Sequence, residues 1–293
     1  MIKIGKFNNL KIVRKADFGF YLDAGTGNTD DDILLPNGSV INPEIKIGDE
    51  ITCFIYRDSK DRMIATMKTP LATVGDIAYL KVVSNASFGS FIDIGLERDV
   101  FVPMAEQKYK LIPEAHYLFY IYVDKTNRLA ATTNIDKHLK NIDINEKEKL
   151  IENKYRIGDE VLGIVYGFQT NGTVMVAIDN KYRGIILKNE YFFDIVPGQK
   201  IKLRIKKFYE DGKLVLTPRQ RPAKERISLE DTIVKYLKDH NGFMKYNDKS
   251  SPEEIRSVFH ESKNYFKNAL GGLMKKKIIT QDKSGTRLIK QPK

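Results

Sequence analysis

Residues 84–95, "SNASFGSFIDIG", decide the fold because nearly the same phrase, "RKADFGFYLDAG", occupies residues 14–25. In each phrase an aromatic residue and a glycine precede a short stretch of alternating polarity, and an Ile-Gly or Ala-Gly turn follows. Internal self-similarity identifies a chain that is built from repeated structural units. The recurrence therefore predicts tandem copies of one small β domain.

Three units of about 65 residues can be aligned around this phrase. Each unit has short β-branched and aromatic runs separated by Gly, Asn and Asp turns, a pattern typical of five-stranded OB-type barrels. Each also ends in a predicted hairpin, because "YRDSKDRMIA", "YVDKTNRLAA" and "YEDGKLVLT" place a polar turn between two apolar runs. We expect barrels at residues 1–69, 70–135 and 154–219, and a charged linker at residues 136–153 with room for one helical turn.

The pattern changes after residue 219. "SLEDTIVKYLKDHNG" predicts a helix with Ser228 as its N-cap, and "SPEEIRSVF" predicts a second helix with Ser251 as its cap. "KIITQDKSGTRLIK" predicts a closing two-stranded hairpin. These parts make a winged helix over residues 222–293, so the fold class is mainly β with an α/β tail. "SKNYFKNALGGLMKKK", between the second helix and the hairpin, predicts the third helix. Its apolar stripe comprises Tyr265, Phe266, Ala269, Leu270 and Leu273.

The positive charge of the chain is concentrated near its carboxyl end. The net charge is +11, and residues 219–293 carry 18 Lys and Arg against 9 Asp and Glu. A basic domain attracts polyanions because binding releases their condensed counterions, and nucleic acid is the commonest such partner. The alternative is that the excess lysines only keep the surface solvated.

The repeats resemble the OB-type RNA-binding repeat of ribosomal protein S1, in the "GDE" or "GD" opening, the "FG" before the alternating strand, and the closing hairpin. Three such repeats followed by a winged helix resemble the CvfB (conserved virulence factor B) family of bacterial RNA-binding regulators. The resemblance covers almost the whole chain. It implies RNA binding and post-transcriptional influence on gene expression, without catalysis.

The resemblance also suggests a role for the repeated aromatic residues. In this repeat type, the glycine after the first aromatic is expected to disturb the strand as at a bulge, so that Phe88 and Phe91 share the outer face of their barrel. Phe18 and Tyr21 are their counterparts in the first unit. Two exposed rings form a platform on which unpaired bases stack, each worth about 1–3 kcal/mol. The alternative places one or both rings in the core, where most phenylalanines lie.

Further contacts are implied by the same repeat type. Asp124 and Arg128 fall where it places an acidic and a basic residue beside the nucleic acid, and Arg62 matches Arg128 in the first unit. The third unit is expected to replace both platform rings, with Asn171 and Val174 in their places. Its strand "KIKLRIKK" instead alternates cations along one face, at Lys200, Lys202, Arg204 and Lys206.

The winged helix supplies a second set of cations. Such domains usually place their third helix in the DNA major groove, but no arginine on this helix is positioned to read guanine. Contact with phosphates is the favoured interpretation, and a winged helix used for protein contact is the alternative. The predicted contacts are Lys263, Lys267, Lys275, Lys276, Lys277 and Arg287.

No catalytic or cofactor motif accompanies these features. The four histidines are scattered and do not have metal-ligand spacing, so we predict no metal, no cofactor and no enzyme activity. One cysteine, no signal peptide and no membrane-length apolar run predict a cytoplasmic protein without membrane contact. The oligomeric state is left open by the sequence.

Three functions compete at this point. The leading hypothesis is a non-catalytic RNA-binding regulator that holds single-stranded RNA on tandem barrels and a basic winged helix. The second is a DNA-binding transcription regulator that uses the winged helix on duplex DNA. The third is a ribosome- or polymerase-associated adaptor whose barrels mainly bind protein.

Overall fold

The chain folds into three closed five-stranded barrels followed by a winged helix, as the repeats predict. The computed structural model describes residues 1–58, 60–142, 155–219 and 222–289, without the side chains of residues 222–228. The first barrel consists of β1 (Phe7–Ala16), β2 (Gly19–Leu22), β3 (Ile33–Pro36), β4 (Glu50–Arg57) and β5 (Met63–Thr66). The second consists of β6 (Ile77–Ala86), β7 (Gly89–Ile92), β8 (Val100–Pro103), β9 (His116–Val123) and β10 (Leu129–Thr132). The third consists of β11 (Glu160–Phe168), β12 (Val174–Ile178), β13 (Tyr182–Ile186), β14 (Lys200–Phe208) and β15 (Leu214–Thr217).

All three barrels have the same strand order. In the first barrel the order is β1-β2-β3-β5-β4, and the pairing of β3 with β5 is parallel while the others are antiparallel. Alternating apolar side chains from all five strands fill each interior, as expected for barrels too small to hold a channel. Cys53 is part of the first core, and burial raises the pKa of its thiol to about 12.

A β-bulge does shift the side-chain pattern in each barrel, but not at the predicted glycine. The shift lies in the first strand of each barrel, between Val82 and Ser84 in the second, whereas β7 pairs with β8 without irregularity. Phe88 precedes β7, in the two-residue turn that joins it to β6. The explanation by a bulge at Gly89 was therefore wrong. Gly89 is needed for close approach instead, because a Cβ there would lie 2.4 Å from the carbonyl oxygen of Val102.

The tail is a winged helix with one predicted boundary corrected. It contains α1 (Pro222–Asp239), β16 (Phe243–Met244), α2 (Pro252–Phe259), α3 (Lys263–Lys275), β17 (Ile279–Asp282) and β18 (Gly285–Leu288). Because α1 begins at Pro222, Ser228 lies inside the helix and is not its N-cap. The cap of α2 is confirmed, since Ser251 and Glu254 form a reciprocal capping box. Phe266 and Leu270 of the predicted α3 stripe are fully buried.

The second and third barrels share an apolar contact. It includes Leu118 of β9, Tyr166 of β11 and Ala177 of β12, all buried. Gly198 fits against the second barrel with a φ of +83°, and a Cβ at this position would lie 2.3 Å from the carbonyl oxygen of His116. The tight fit indicates that the two barrels are matched to one another.

The described part of the predicted linker packs onto the third barrel. Asp136 begins a short 3-10 turn and accepts hydrogen bonds from the Tyr166 hydroxyl at 2.6 Å and from Arg183 Nε at 3.0 Å. Leu139 and Ile142 are buried. Residues 136–142 are therefore part of the packed structure, and residues 143–153 lie outside the described residues.

Within the described ranges, none of the helices combines the length and the hydrophobicity required to cross a membrane.

Candidate nucleic-acid interface

Three phenylalanine rings form a cluster on the outside of the second barrel. Phe88 is 62% exposed at the turn, and its ring centroid lies 6.3 Å from that of Phe91 on β7. Phe101 on β8 lies beside both, with centroid distances of 5.6 Å to Phe88 and 5.4 Å to Phe91. The Phe88 and Phe91 rings are thus outside the barrel core, as the stacking prediction requires. Phe101 was missed, although "DVFVP" has an aromatic where "DILLP" has a leucine.

The first barrel has a smaller version of this surface. Phe18 is 56% exposed, and its ring centroid lies 6.1 Å from that of Tyr21. The guanidinium carbon of Arg14 lies 3.7 Å from the centroid of the Tyr21 ring, so a cation covers one side of that ring. Phe18 therefore offers the more open surface to a base.

The third barrel does not present this surface. The pairing of β11 with β12 places Met175 at the position of Phe91, because each pairs with the first residue after the bulge, Gly167 or Ser84. The prediction that Val174 holds this position was wrong, and Val174 is fully buried. Met175 packs against the apolar contact with the second barrel.

The closing-hairpin residues that were predicted to contact nucleic acid form hydrogen bonds within the protein. Arg62 donates to the carboxylate of Asp58 from Nε at 3.0 Å and from Nη2 at 2.7 Å. Arg128 donates from Nε to Asp61 of the first barrel at 2.6 Å, and this hydrogen bond lowers the pKa of the Asp61 carboxyl. Asp124 accepts hydrogen bonds from the backbone of its own turn. Their contact with nucleic acid stays a prediction.

A cleft of about 230 Å³ lies between the first and second barrels, beside the phenylalanine cluster. We refer to it as the inter-barrel cleft. Its walls combine rings and charge, so cations accompany the aromatic surface even though the first two units have no net positive charge. The lining residues used below are Tyr56, Phe91, Arg98, Asp99, Phe101 and Arg128.

The cations on strand β14 share one face, as predicted, but have different surroundings. Lys200 Nζ lies 4.2 Å from the ring centroid of Tyr79 in the second barrel, which indicates a cation–π contact. Lys206 Nζ donates to the buried carboxylate of Glu190 at 2.5 Å. Arg204 is half-buried, and Lys202 is exposed. Lys202 is consequently the side chain of this face most available to a phosphate.

The predicted cations of the winged helix are mostly exposed. Lys267, Lys275 and Lys277 point to solvent, whereas Lys276 forms an ion pair with the buried carboxylate of Glu230. Lys263 is half-buried, and its Nζ donates to the carbonyl of Lys249 at 3.5 Å. The remaining predicted contact, in the wing, is Arg287, whose guanidinium carbon lies 4.5 Å from the ring centroid of Phe243.

A larger cleft, of about 700 Å³, separates the third barrel from the winged helix. We refer to it as the C-terminal cleft. One wall carries aromatic rings of the third barrel, and the other carries Arg256 and Lys263 of the winged helix. Phe168, at the end of β11, is an exposed ring in this lining. The third unit therefore carries rings at this cleft, although it lacks the two platform rings of the first two units. The rings in its lining are Phe168, Tyr191, Phe192 and Phe193.

Arg219 joins the two walls of this cleft. Its guanidinium carbon lies 4.7 Å from the ring centroid of Phe192 in the third barrel and 4.7 Å from that of Tyr265 in the winged helix. Arg256 lies on the same Phe192 ring, at 5.3 Å. Cation–π contacts of two arginines therefore connect the third barrel with the winged helix beside this cleft.

Three of the four histidines stack on tyrosine rings, and two of these pairs are close. His138 stacks on Tyr120 with centroids 3.4 Å apart, and His240 stacks on Tyr236 with centroids 4.0 Å apart. In the part of the chain that the structure describes, no three His, Cys, Asp or Glu side chains are grouped so that they could hold a metal ion.

Comparison with known sequences agrees with the architecture. The chain matches the S1 domain at residues 4–68 and 74–134, and the CvfB-like winged helix domain at residues 231–288. It is 32% identical to the uncharacterized protein YitL of Bacillus subtilis strain 168, over 96% of this chain and 92% of that protein. It is 28% identical to conserved virulence factor B of Staphylococcus epidermidis, over 86% of this chain and 85% of that protein.

A solved structure is similar to this chain over nearly the whole length of both. It is a multidomain protein with nucleic acid binding domains from Streptococcus pneumoniae TIGR4, 26% identical, with a TM-score of 0.53 over 98% of both chains. The family resemblance read from the repeats is thereby confirmed. With S1 domains, a CvfB-like winged helix and relatives that align over most of its length, the chain belongs to the CvfB family.

Proposed function

We propose that this protein is a non-catalytic regulator that binds single-stranded RNA and acts after transcription. The observation that carries the proposal is the pair of exposed ring surfaces on the first two barrels, at Phe18 with Tyr21 and at Phe88 with Phe91. A base stacks on an aromatic ring only if its own face is open, which favours unpaired strands over duplexes.

The C-terminal half supplies the electrostatic part of binding. The C-terminal cleft has a basic wall, and the exposed Lys267, Lys275 and Lys277 extend the charge over the winged helix. Neutralising backbone phosphates provides most of the affinity that is independent of sequence. We therefore expect this half to dominate binding strength, and the rings to add stacking.

The regulatory part of the proposal draws on relatives. One relative is named conserved virulence factor B, and the solved relative is described as having nucleic acid binding domains. Neither matched domain type, S1 or CvfB-like winged helix, is a catalytic one. These names support nucleic acid as the ligand, and the choice of RNA rests on the exposed rings of the first two barrels.

A comparison of three ligands tests the proposal. We expect single-stranded RNA to bind more tightly than single-stranded DNA of the same sequence, and both more tightly than duplex DNA, at each of several salt concentrations. The measurement is fluorescence anisotropy with labelled 12-nucleotide strands. Tighter binding to the duplex would contradict the proposal and favour the DNA-binding regulator. Weak binding to all three ligands, with co-purification of a ribosome or polymerase, would favour the adaptor.

A further inference from the structure

The first barrel carries an arginine at a position where the other two barrels have small residues. Arg14 is the first residue after the bulge of β1, and it pairs with Tyr21 across the two strands. The second and third barrels have Ser84 and Gly167 at the corresponding position. The aromatic surface of the first barrel therefore has a component that the repeated fold does not supply in the other two.

The guanidinium group of Arg14 covers one face of the Tyr21 ring. Its central carbon lies 3.7 Å from the ring centroid, which is the van der Waals contact expected for a group stacked on the ring. The Arg14 side chain is 50% exposed, so part of the group remains open to solvent. A base that approaches Tyr21 from this side meets the guanidinium group first.

A buried carboxylate holds Arg14 in this position. Asp32, the residue directly before β3, has a side chain that is only 7% exposed, and its Oδ2 lies 3.5 Å from Arg14 Nε. Within the residues that the structure describes, this oxygen accepts no hydrogen bond. A buried carboxylate is costly without a cation beside it, so Asp32 keeps Arg14 close and over the Tyr21 ring.

The same ion pair makes Arg14 a poor ligand for a phosphate. Its charge is already opposed by Asp32, and residues 23–32, which lead to β3, contain four aspartates and no lysine or arginine. These charges repel a phosphate but not the uncharged face of a base. Guanidinium planes are among the groups on which unpaired bases of RNA stack. The surroundings of Arg14 therefore favour contact with a base over contact with the RNA backbone.

We propose that Arg14 is a base-binding residue of the first barrel, with an unpaired RNA base stacked on the outer face of its guanidinium group. Asp32 is a positioning residue that acts through Arg14. The Phe18 and Tyr21 rings are inclined at 77° to one another, so one base cannot lie flat on Phe18 and on the group that covers Tyr21. The two surfaces therefore take different bases of one strand. This inference rests on the proposed function, because the base belongs to a bound RNA.

Arg14→Lys tests the stacking contact, because lysine keeps the charge that Asp32 requires but has no planar group. We expect the affinity of the full-length protein for a 12-nucleotide single-stranded RNA to fall about fivefold, with an unchanged slope of log affinity against log salt. The melting temperature should not change, since the ion pair is retained. Fluorescence anisotropy and thermal melting measure these quantities. If Arg14 contacted a phosphate, Arg14→Lys would retain the affinity, because lysine also binds phosphate.

Asp32→Asn tests the positioning role. The affinity for the same RNA should fall about threefold, because Arg14 is no longer held over Tyr21 by charge. Asp31→Asn is the matched control, since Asp31 is an exposed neighbour of equal charge, and it should not weaken binding. Adding Asp32→Asn to Arg14→Lys should cause no further loss, because Asp32 acts through Arg14. Tighter binding of Asp32→Asn, with a steeper salt dependence, would show a phosphate contact and overturn the proposal.

Failure of this site and failure of the proposed function give different results. Unchanged affinity in Arg14→Lys, while the unaltered protein binds single-stranded RNA, would overturn the stacking role of Arg14 and leave the proposed function in place. Failure of the unaltered protein to bind single-stranded RNA would overturn both.

Discussion

The second and third barrels have the same strand order and bulge but use the same outer face differently. In the second barrel, Phe91 on β7 lies among exposed rings beside a cleft. In the third barrel, Met175 occupies the same position and packs against the second barrel. A repeated fold therefore supplies a position, and its neighbours decide whether that position binds a ligand or another barrel.

The difference has a simple physical origin. The β11 and β12 strands carry apolar residues on both faces, including Ile164, Tyr166 and Ala177, so the outer face is buried as well as the inner one. Burial of apolar surface stabilises by about 25 cal/mol per Å². The third barrel consequently packs against the second barrel through this face. Its exposed rings lie instead at the C-terminal cleft.

The largest effect on stability should come from disturbing the surface of the third barrel that packs against the second barrel. Gly198→Ala should lower the free energy of unfolding by about 2–3 kcal/mol, because the new methyl group meets the His116 carbonyl and the left-handed backbone disfavours alanine. Chemical denaturation followed by circular dichroism measures this change.

The matched control is Gly48→Ala in the first barrel. Gly48 occupies the corresponding turn with a φ of +98°, but no atom lies within 4 Å of its added Cβ. It should lose only the backbone strain, about 1 kcal/mol. Equal losses at Gly48 and Gly198 would mean that the close approach of Gly198 to the second barrel contributes nothing to stability.

The exposed ring of the second barrel should affect RNA instead of stability. Phe88→Ala should weaken single-stranded RNA binding by about 1–3 kcal/mol, roughly 5- to 150-fold, since one stacked base loses its partner. The melting temperature should hardly change because the ring is 62% exposed. Met175→Ala is the contrasting variant, which should lower the melting temperature and leave RNA affinity intact. A large fall in melting temperature for Phe88→Ala would argue against a binding role.

Charge removal on the winged helix should weaken binding to every RNA sequence alike. Lys275→Gln with Lys277→Gln should reduce the slope of log affinity against log salt by up to about 1.4, since each lost phosphate contact removes about 0.7 on single strands. Lys276 is left unchanged because it forms an ion pair with the buried Glu230 carboxylate, so its removal would also change stability. Lys235→Gln with Lys238→Gln, exposed on α1, is the charge-matched control. An unchanged slope in the first variant would remove this surface from the interface.

The smallest effects should distinguish the roles of Lys202 and Lys206, which lie on the same strand, β14. Lys202→Ala should reduce RNA affinity by about 1 kcal/mol and leave stability unchanged, because this side chain is exposed. Lys206→Ala should instead destabilise the protein by about 1 kcal/mol, since the buried Glu190 loses a partner. Thermal melting and anisotropy on both variants measure the contrast. The reverse assignment would show that Lys206 is the RNA contact.

The sequence predicted the three barrels and the winged helix because repetition and cap patterns are local signals. The alignment of the repeats was wrong where the number of residues between two strands differs from one unit to the next. In the third unit five residues join β11 to β12, against two in the corresponding turns of the other barrels, so alignment by fixed offset gave Val174 in place of Met175. The start of α1 was missed because "RPAKERI" lacks the apolar periodicity on which a helix boundary is read.

The clefts could not have been predicted from the sequence. Each is formed by residues far apart in the chain, such as Tyr56 with Asp99, or Phe168 with Arg256. Their proximity depends on how one barrel packs against the next unit, and no periodicity encodes that packing. The net charge of a unit did not predict where its cations lie. The arginines of the inter-barrel cleft are offset in the sum by carboxylates elsewhere on the same barrels.

Photo-crosslinking tests the central claim. Single-stranded RNA should lie on the exposed rings of the first and second barrels, and not on the face of the third barrel that packs against the second. RNA containing 4-thiouridine would be irradiated with the full-length protein, and adducts would be located by mass spectrometry. We predict adducts in the peptides that contain Phe18 with Tyr21 and Phe88 with Phe91. Adducts confined to residues 160–178, with none on those rings, would contradict the account.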